Sequence, residues 1–373
     1  MGIFLREKAL PGLKKYKYSS VDKSLISKYV LKPFYTRFVD VFPLWLAPNL
    51  ITLLGLAFTG ISVILTFIYN PQFNSTYPSW VYFVFAINQF LYQTFDACDG
   101  LQARRTESSS PLGELFDHCV DAINTTLGVI VFSSVMNYSP LIIILALFST
   151  SLNFYLSTWE EYHTGTLYLS IFSGPVEGVL IVVGMEIITG ITGPELWNDP
   201  RSFLFGFSMN EVSQPSLLLG LFYNAYEALK NVNKVYKGKD NQAAKGMLPF
   251  VVLWIGMAAW VSVAPYLIHE YMIVFLLTFG LIFALLVGRI ITAHVTHQNF
   301  PMYNPLVCIP YAAAASHYAS SLFGGWPIVH DLYFLYVSLG FSLAVYGLFV
   351  AEVIQEITEY LDIGCLYIKH KKN

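Results

Sequence analysis

The sequence has few charged residues. Only 12% of its 373 residues are Asp, Glu, Lys or Arg, whereas 55% are hydrophobic. Soluble domains carry about 25% charged residues. This shortage excludes a soluble enzyme, a disordered protein and a nucleic-acid-binding protein, and a net charge of −3 gives no general affinity for polyanions. We therefore expect most of the molecular surface to contact lipid.

Cysteine pairs and targeting signals are also missing. The four cysteines show no C-x-x-C spacing, so we predict free thiols rather than a disulfide framework. The basic, polar N-terminal segment lacks the apolar core of a cleaved signal peptide, and Arg6 breaks the myristoylation pattern. The sequence contains no internal repeat and no linker long enough to separate two domains, which predicts one domain over residues 1–373.

Long apolar stretches make up most of the sequence. A membrane helix needs about 20 mainly apolar residues, and ten stretches approach that length. They lie at 49–69, 80–95, 112–136, 139–158, 174–192, 212–229, 248–267, 271–294, 305–323 and 330–352. We therefore predict an all-α integral membrane protein with about ten transmembrane helices over 49–352, followed by a cytosolic tail over 353–373.

The basic residues predict the orientation of these helices. Nine Lys or Arg residues but only three acidic residues precede the first span, which places the N-terminus in the cytosol. With ten spans, the links after spans two and six and the C-terminal tail are also cytosolic, and all three are basic. Residues 22–42 mix apolar and basic positions at near-helical spacing, and Pro33 interrupts this pattern. This pattern favours a pair of interfacial helices, and a solvated leader is the alternative.

An acidic stretch between the second and third spans is the most informative part of the sequence. It contains two pairs of aspartates, and each pair lies on one face of a helix because its members are three or four positions apart. A turn that ends in Ser110 and Pro111, a typical N-cap and first helical residue, separates the pairs. We expect the two helices to bring both pairs together. The aspartates are Asp96 and Asp99, then Asp117 and Asp121.

Four carboxylates this close repel one another unless cations neutralise them. Oxygen ligands alone select hard ions, so we expect Mg²⁺ or Mn²⁺, and a pair of such ions can clamp a phosphoryl group. Gly100, Ala103 and Gly113 leave room for a phosphate or a nucleotide near the backbone. Arg104 offers a guanidinium group that pairs with phosphate. Helix caps and a solvated loop would explain one aspartate but not four.

The pattern D-x2-D-G-x2-A-R-x8-G-x3-D-x3-D, from Asp96 to Asp121, resembles the signature of the CDP-alcohol phosphotransferase family. The whole chain resembles the choline/ethanolamine phosphotransferases, especially the fungal type, in stretches such as FPLWLAPNLITLLG, STWEEYHTGTLYLSIFSGPVEG and ITEYLD. The resemblance implies that the four aspartates hold metal ions. It also implies that Gly100, Ala103, Arg104 and Gly113 line the site for the cytidine diphosphate group.

The resemblance further implies transfer of a phosphoalcohol from CDP-choline or CDP-ethanolamine to diacylglycerol, with release of CMP. A site at the membrane boundary suits this reaction because one substrate is charged and the other comes from the bilayer. Two alternatives are another phosphatidyltransferase of the family, such as one that makes phosphatidylinositol, and a divalent-metal transporter. Transporters, however, tend to hold such carboxylates near the midplane within repeated halves. The family also implies a homodimer.

The C-terminal lysines bear on location. Lys369, Lys371 and Lys372 resemble a dilysine retrieval signal. Together with the resemblance, they predict a multi-pass protein of the endoplasmic reticulum or Golgi membrane, with both termini and the active site in the cytosol.

The attacking hydroxyl group must lose a proton, and three residues are candidates for its removal. Asp121, the last aspartate, is the usual suggestion for the family, but a carboxylate that coordinates a metal is a poor proton acceptor. We favour His118 as the base with Glu177 as its partner, since an unpaired carboxylate in the apolar start of the fifth span is costly. Alternatively, His118 only orients an aspartate and Glu177 only packs between helices.

Contacts to the nucleotide and to the head group are predicted less specifically. Asn49, at the start of the first span, either hydrogen-bonds the nucleotide or acts as an ordinary helix N-cap. Aromatic faces hold quaternary ammonium groups well, and Trp159, Tyr162 and Tyr92 are candidates for this role. A preference for choline or ethanolamine does not follow from the sequence.

Four other ionisable residues lie near predicted span ends. Glu160 and Glu161 are predicted to be surface charges at the end of the fourth span. Arg289 and His294, late in the eighth span, either reach towards the membrane surface or contact substrate.

Overall fold

The computed structural model describes residues 2–22, 24, 26–169, 175–200, 206, 208–236, 242–322 and 330–369. Nearly all regular structure in these residues is helical, which confirms the predicted fold class. In chain order the helices are α1 (Lys32–Phe38), α2 (Pro48–Tyr69), α3 (Ser79–Arg105), α4 (Pro111–Val135), α5 (Pro140–Thr164), α6 (Pro175–Thr192), α7 (Glu195–Asn198), α8 (Met209–Tyr236), α9 (Gln242–Lys245), α10 (Leu248–Val263), α11 (Tyr266–Glu270), α12 (Met272–Val295), α13 (Cys308–Leu322) and α14 (Asp331–Leu361).

Short helices of other types and two strands complete the described structure. There are 3-10 helices at Glu7–Lys14, Val39–Val41 and Pro305–Val307 and a π-helix at Ser27–Leu31. Strand β1 (Ser20–Asp22) pairs in parallel with β2 (Leu167–Leu169), with Ser20 opposite Leu167. The sequence pattern did not predict these strands, because three residues are too few to show an alternating pattern.

Each of the ten predicted spans overlaps a helix of 15 or more residues. Among the described residues, six segments are long and apolar enough to cross a membrane. They are Pro48–Tyr69, Pro111–Val135, Pro140–Thr164, Ala243–Val263, Met272–Val295 and Asp331–Leu361. A multi-pass helical membrane protein is therefore confirmed, whereas crossing by α3, α6, α8 and α13 stays a prediction.

Helix α12 is the most buried of these six, since 78% of its apolar 18-residue stretch is buried inside the molecule. It packs against α4, α5 and α14. Glycines permit the close approach: a methyl group on Gly280 would lie 2.8 Å from Thr126 Oγ1 of α4. A methyl group on Gly288 would lie 2.8 Å from the ring of Phe349 of α14. Small residues at helix crossings are typical of membrane bundles, where close packing replaces the hydrophobic effect.

The amphipathic segment predicted over 22–42 contains helical turns on both sides of the Leu31–Pro33 junction. The residues that follow it are attached to the end of α3. Gln102, which is fully buried, donates from Nε2 to the carbonyl oxygens of Pro43 (2.9 Å) and Leu46 (3.1 Å). These bonds fix the connection between the amphipathic segment and α2.

The segment before residue 20 also packs against the bundle, although its composition is polar. Leu5, Leu10 and Leu13 are buried. The Leu5 amide donates to Glu352 Oε1 of α14 at 2.9 Å. The N-terminal residues therefore cover the ends of helices rather than remaining in solvent.

Four helices continue six or more residues beyond their predicted ends. Helix α3 ends at Arg105 rather than 95, α5 at Thr164 rather than 158, α8 at Tyr236 rather than 229, and α14 at Leu361 rather than 352. Polar residues end an apolar run, but they do not end a helix whose polar face lies against protein. The predicted tail over 353–373 thus begins as helix. Residues 174, 323, 371 and 372, which belong to predicted spans or to the dilysine pattern, lie outside the described residues.

Candidate active site

The hairpin formed by α3 and α4 brings three aspartates together. Ser110 is the N-cap of α4, as predicted: its Oγ accepts from the Gly113 amide at 3.3 Å, and Pro111 is the first helical residue. Carboxylate oxygens of one aspartate of α3 and two of α4 lie within 4.8 Å of one another. These residues are Asp96, Asp117 and Asp121.

This cluster suits a divalent cation. One carboxylate oxygen of Asp96 and one of Asp117 are buried and have no hydrogen-bond partner. Buried, unpaired carboxylate oxygens are costly, and their mutual repulsion adds to the cost. A hard cation removes both penalties because it accepts several oxygen ligands at once. The donor set therefore fits Mg²⁺ or Mn²⁺ chemically.

The remaining carboxylates of the motif have protein partners. Asp99 lies outside the three-aspartate cluster and accepts a hydrogen bond from Thr52 Oγ1 of α2. The Tyr92 hydroxyl donates to Asp121 Oδ1. Both donors hold a carboxylate in position. The sequence pattern did not identify Thr52, because nothing local marks it as facing α3.

A cavity of about 2160 Å³ contains the site, and all eight fixed residues of the motif line it. Beyond the aspartates, the lining includes apolar side chains of α4, α5, α6 and α8. Val129 is eight residues after Asp121 in α4, which is about 12 Å further along the helix. The cavity thus joins a carboxylate-rich end to an apolar arm. Examples from the apolar arm are Val129, Phe132, Phe154, Met185 and Leu221.

The predicted nucleotide residues lie around the carboxylate-rich end. A methyl group on Gly113 would be 3.7 Å from Asn49 Oδ1, so these residues of α4 and α2 are close neighbours. Asn49 is not an N-cap, because Ala47 occupies that position. Its Nδ2 donates to the carbonyl oxygen of Cys365 at 3.1 Å, which brings the C-terminal segment to the cavity. Burial raises the pKa of the Cys365 thiol.

His118 and Glu177, which are predicted to act together as the general base, have different partners in the structure. His118 Nδ1 lies 3.6 Å from Glu161 Oε2 of α5, and the imidazole is buried. Glu177 Oε1 of α6 accepts a hydrogen bond from Ser24 Oγ, while its Oε2 is buried without a partner. Both His118 and Glu177 line the cavity. The structure therefore supplies His118 with a carboxylate neighbour that the sequence did not indicate.

The prediction that Glu160 and Glu161 are surface charges is wrong. Their exposed fractions are 6% and 1%. Helix α5 continues past them to Thr164, and the N-terminal segment packs over this end through the β1–β2 pair. Glu160 accepts a hydrogen bond from Asn231 Nδ2 at 2.7 Å. Acidic residues at the end of an apolar run normally face solvent. Glu160 and Glu161 do not, because the N-terminal segment packs over them.

The N-terminal segment also brings Tyr16 to the site. Its hydroxyl donates to Glu114 Oε2, and both residues line the cavity. Burial and the neighbouring Glu114 carboxylate raise the pKa of Tyr16. The hydroxyl thus remains a hydrogen-bond donor.

The three aromatic candidates for the head group separate into two groups. Tyr92 lines the cavity. Trp159 Nε1 donates to the Ala243 carbonyl (2.8 Å) and the Tyr162 hydroxyl donates to the Gln298 carbonyl (2.7 Å). Neither belongs to the described lining of the cavity. Trp159 and Tyr162 therefore have structural partners instead.

Arg289 and His294 of α12 also lie outside the described cavity lining. Arg289 Nη1 donates to the carbonyl oxygen of Tyr303. His294 is buried, and its ring packs edge-on against that of Tyr16, with ring centroids 5.4 Å apart. Arg289 thus has a backbone partner in the loop after α12, and His294 has an aromatic neighbour.

Sequence comparisons identify related proteins. The model of the CDP-alcohol phosphatidyltransferase family matches residues 45–191, a range that includes all four aspartates. The chain is 44% identical to Choline/ethanolaminephosphotransferase 1 and 40% identical to Cholinephosphotransferase 1 of Saccharomyces cerevisiae, over the full length of both proteins in each case. It is 39% identical to Choline/ethanolaminephosphotransferase 1 of Arabidopsis thaliana, over 97% of each chain.

Proposed function

The chain belongs to the CDP-alcohol phosphatidyltransferase family, and we propose that it transfers phosphocholine or phosphoethanolamine from a CDP-alcohol to diacylglycerol. The observation that carries this proposal is the single cavity that joins the aspartate cluster to an apolar arm. A charged nucleotide suits the first part and acyl chains suit the second. Full-length similarity to choline and ethanolamine phosphotransferases supports these head groups over inositol.

The aspartates would hold two divalent ions, Mg²⁺ or Mn²⁺. The cluster of Asp96, Asp117 and Asp121 supplies most of the ligands, and Asp99 lies beside it. When bound, such ions neutralise the carboxylates and stabilise negative charge on the phosphoryl oxygens. Arg104, which is exposed at the end of α3, adds a guanidinium group for the nucleotide phosphates.

Small residues shape the nucleotide end of the cavity. Gly100, Ala103 and Gly113 carry little or no side chain, so a diphosphate can approach the helix backbones there, and the Arg104 guanidinium group lies beside Gly100. Asn49 has an amide oxygen close to Gly113, where it can accept from the nucleotide. These positions define the proposed CDP-binding surface.

In the reaction, the hydroxyl oxygen of diacylglycerol forms a bond to the β-phosphorus of the CDP-alcohol. The bond from that phosphorus to the bridging oxygen breaks, and CMP leaves with the electron pair. We assign the hydroxyl proton to His118, whose ring lies in the cavity wall directly after Asp117. Asp121 is the alternative acceptor, but its Oδ1 already accepts from Tyr92.

A carboxylate beside His118 would stabilise the imidazolium ion formed after proton transfer. Glu177 is proposed for this role because its Oε2 is buried in the cavity wall without a partner. Glu161 is the second candidate, since its Oε2 lies 3.6 Å from His118 Nδ1. Turnover of Glu177→Gln and of Glu161→Gln, measured separately, distinguishes the two candidates.

The apolar arm is proposed to receive the acyl chains of diacylglycerol. Its walls belong to α4, α5, α6 and α8, and apolar side chains such as Val129, Phe132 and Leu221 give acyl chains a surface to contact. The attacking hydroxyl group then lies nearest the aspartates. This arrangement lets the two substrates meet without moving charge into the bilayer.

The proposed setting is the endoplasmic reticulum or Golgi membrane, with both termini and the active site in the cytosol. The excess of basic residues before α2 supports this orientation. We further propose a homodimer and a single domain over residues 1–373.

The test is release of CMP by purified protein in lipid nanodiscs. CDP-choline and CDP-ethanolamine are supplied separately and in competition, with and without diacylglycerol. We expect CMP only when diacylglycerol is present, and about a thousandfold slower release from the Asp117→Asn variant. Release of CMP from CDP-diacylglycerol plus inositol, with none from CDP-choline or CDP-ethanolamine, would instead assign the chain to another branch of the family.

A further inference from the structure

A second group of ionisable side chains lies beside the aspartate cluster. Glu114 is in the first turn of α4, Glu161 is near the end of α5, and His294 is in the last turn of α12. Each offers one ligand atom, and these atoms lie within 4.8 Å of one another. Three helix ends therefore converge on one point, and of its residues the proposed reaction involves only Glu161, as the second candidate to face His118.

The two carboxylates at this point lack counter-charges. Glu161 is 1% exposed, and its Oε2 accepts no hydrogen bond, although His118 Nδ1 lies 3.6 Å away. Glu114 Oε1 is also buried without a partner, and its Oε2 accepts from Tyr16. Among the described residues, neither glutamate forms an ion pair with a lysine or an arginine. Adjacent buried carboxylates need a cation or a shared proton between them.

We propose that Glu114, Glu161 and His294 form a binding site for a divalent transition-metal ion, separate from the aspartate cluster. The imidazole of His294 distinguishes this cluster from the aspartate cluster, which offers oxygen ligands only. Oxygen ligands alone suit Mg²⁺, whereas a mixed set of carboxylates and imidazole favours ions such as Zn²⁺ or Mn²⁺. This cluster should therefore prefer Zn²⁺ to Mg²⁺, which distinguishes it from the neighbouring aspartates.

A bound ion would connect parts of the chain that are distant in sequence. It would join the ends of α4, α5 and α12 and hold the Glu161 carboxylate that faces His118. Tyr16 touches two of the ligands, because its hydroxyl donates to Glu114 and its ring packs against His294. The ion therefore has a positioning role, which fixes the N-terminal segment above the active site.

The experiment counts bound metal rather than activity. Protein in nanodiscs is stripped with a chelator, saturated with Mg²⁺, incubated with Zn²⁺ and desalted, and its zinc is measured by mass spectrometry. We expect one zinc per wild-type chain and at least about tenfold weaker binding in His294→Gln and Glu114→Gln, a loss seen even for outer-sphere partners. His297→Gln removes an exposed imidazole three residues away and should retain zinc. The Asp96→Asn/Asp117→Asn double variant should also retain it.

A second readout identifies the ligand directly. With Mn²⁺ as the probe in place of Zn²⁺, pulsed electron paramagnetic resonance should show nitrogen coupling from an imidazole, and His294→Gln should lose it. Equal zinc binding by wild type and His294→Gln, or loss of zinc only in the aspartate double variant, would overturn the proposal. Wild-type protein that binds no zinc would indicate a shared proton instead. Because no transferase assay is involved, failure here leaves the proposed reaction to its own test.

Discussion

Single residues in the motif differ in their surroundings more than their spacing suggests. Asp96 and Asp117 each have a buried oxygen without a partner, whereas Asp99 is held by Thr52 and Asp121 by Tyr92. The first two carboxylates therefore depend most on a cation. The hydroxyl groups of Thr52 and Tyr92 orient Asp99 and Asp121, but they do not take the place of a cation.

The unpartnered oxygens of Asp96 and Asp117 predict large effects of substitution at these two positions. Asp96→Asn and Asp117→Asn should each lower the rate of CMP release by about a thousandfold, because several kcal/mol of charge stabilisation is lost. Asp40→Asn, at an exposed carboxylate, should leave the rate unchanged. CMP release at saturating substrate measures this. A rate within a few fold of wild type for Asp117→Asn would contradict the assignment.

Thr52→Val tests the supporting hydrogen bond. It removes a donor to a carboxylate, a bond worth about 1.5–3 kcal/mol, so we expect a loss of about tenfold or more in kcat/KM. Thr59→Val is the matched control, since Thr59 is equally buried one heptad further along α2 and its hydroxyl has no partner. Similar losses in both variants would mean that only folding is affected.

The partner of His118 is open to direct measurement. Glu177→Gln should lower kcat by about a hundredfold, in the range of general acid–base catalysis, with unchanged binding of CDP-choline. Glu161→Gln measures the second candidate in the same assay. Glu195→Gln is a control at an exposed carboxylate of α7 outside the cavity lining, and it should keep near wild-type turnover. Unchanged turnover in Glu177→Gln would remove Glu177 from the mechanism.

At the scale of the elements, helix crossings position the site. Helix α4 carries Asp117 and Asp121, and α12 supports it from behind through the contact between Gly280 and Thr126. Thr126 lies five residues after Asp121. A change in the distance between these helices therefore moves the metal ligands as well as the packing.

Gly280→Ala should consequently destabilise the protein by about 1–3 kcal/mol, the usual cost of overpacking. Gly340→Ala, on α14, is the control because an added methyl group there meets nothing within 4 Å. Residual CMP release after heating measures the difference. Equal thermal stability of the two variants would show that α4 and α12 can separate without cost.

At the scale of the whole molecule, the number of crossings sets the location of every loop. Ten crossings place the α2–α3 and α6–α8 links on one side of the membrane and the α3–α4 link on the other. Six crossings would not require this arrangement. The four helices outside the six apolar segments therefore determine the topology.

Introduced cysteines can test this topology in sealed vesicles treated with an impermeant maleimide, in a background in which Cys308 and Cys365, the two cysteines that are not buried, are replaced by serine. We expect Ser109→Cys and Lys230→Cys to react from the cytosolic side. Asn74→Cys and Glu195→Cys should react only after the vesicles are opened. Labelling of Glu195→Cys in intact vesicles would show that α6 does not cross.

Much of the site was predictable from local sequence. The helical spacing of the aspartates, the Ser110 cap and the proline that follows all act over a few residues, and the structure confirms the cap and the joining of three aspartates. The burial of Glu161 and the contact of Tyr16 with Glu114 were not predictable. Both depend on an N-terminal segment whose composition resembles that of a solvated leader.

The sequence by itself determined the membrane class, the helices and the face on which each aspartate lies, because hydropathy and helical periodicity are local properties. Only the tertiary structure decided which helix meets that face. Thr52 beside Asp99, Glu161 beside His118 and His294 beside Glu114 are contacts between distant parts of the chain. In lipid, apolar helix surfaces are nearly equivalent, so close packing and buried polar groups select the partners.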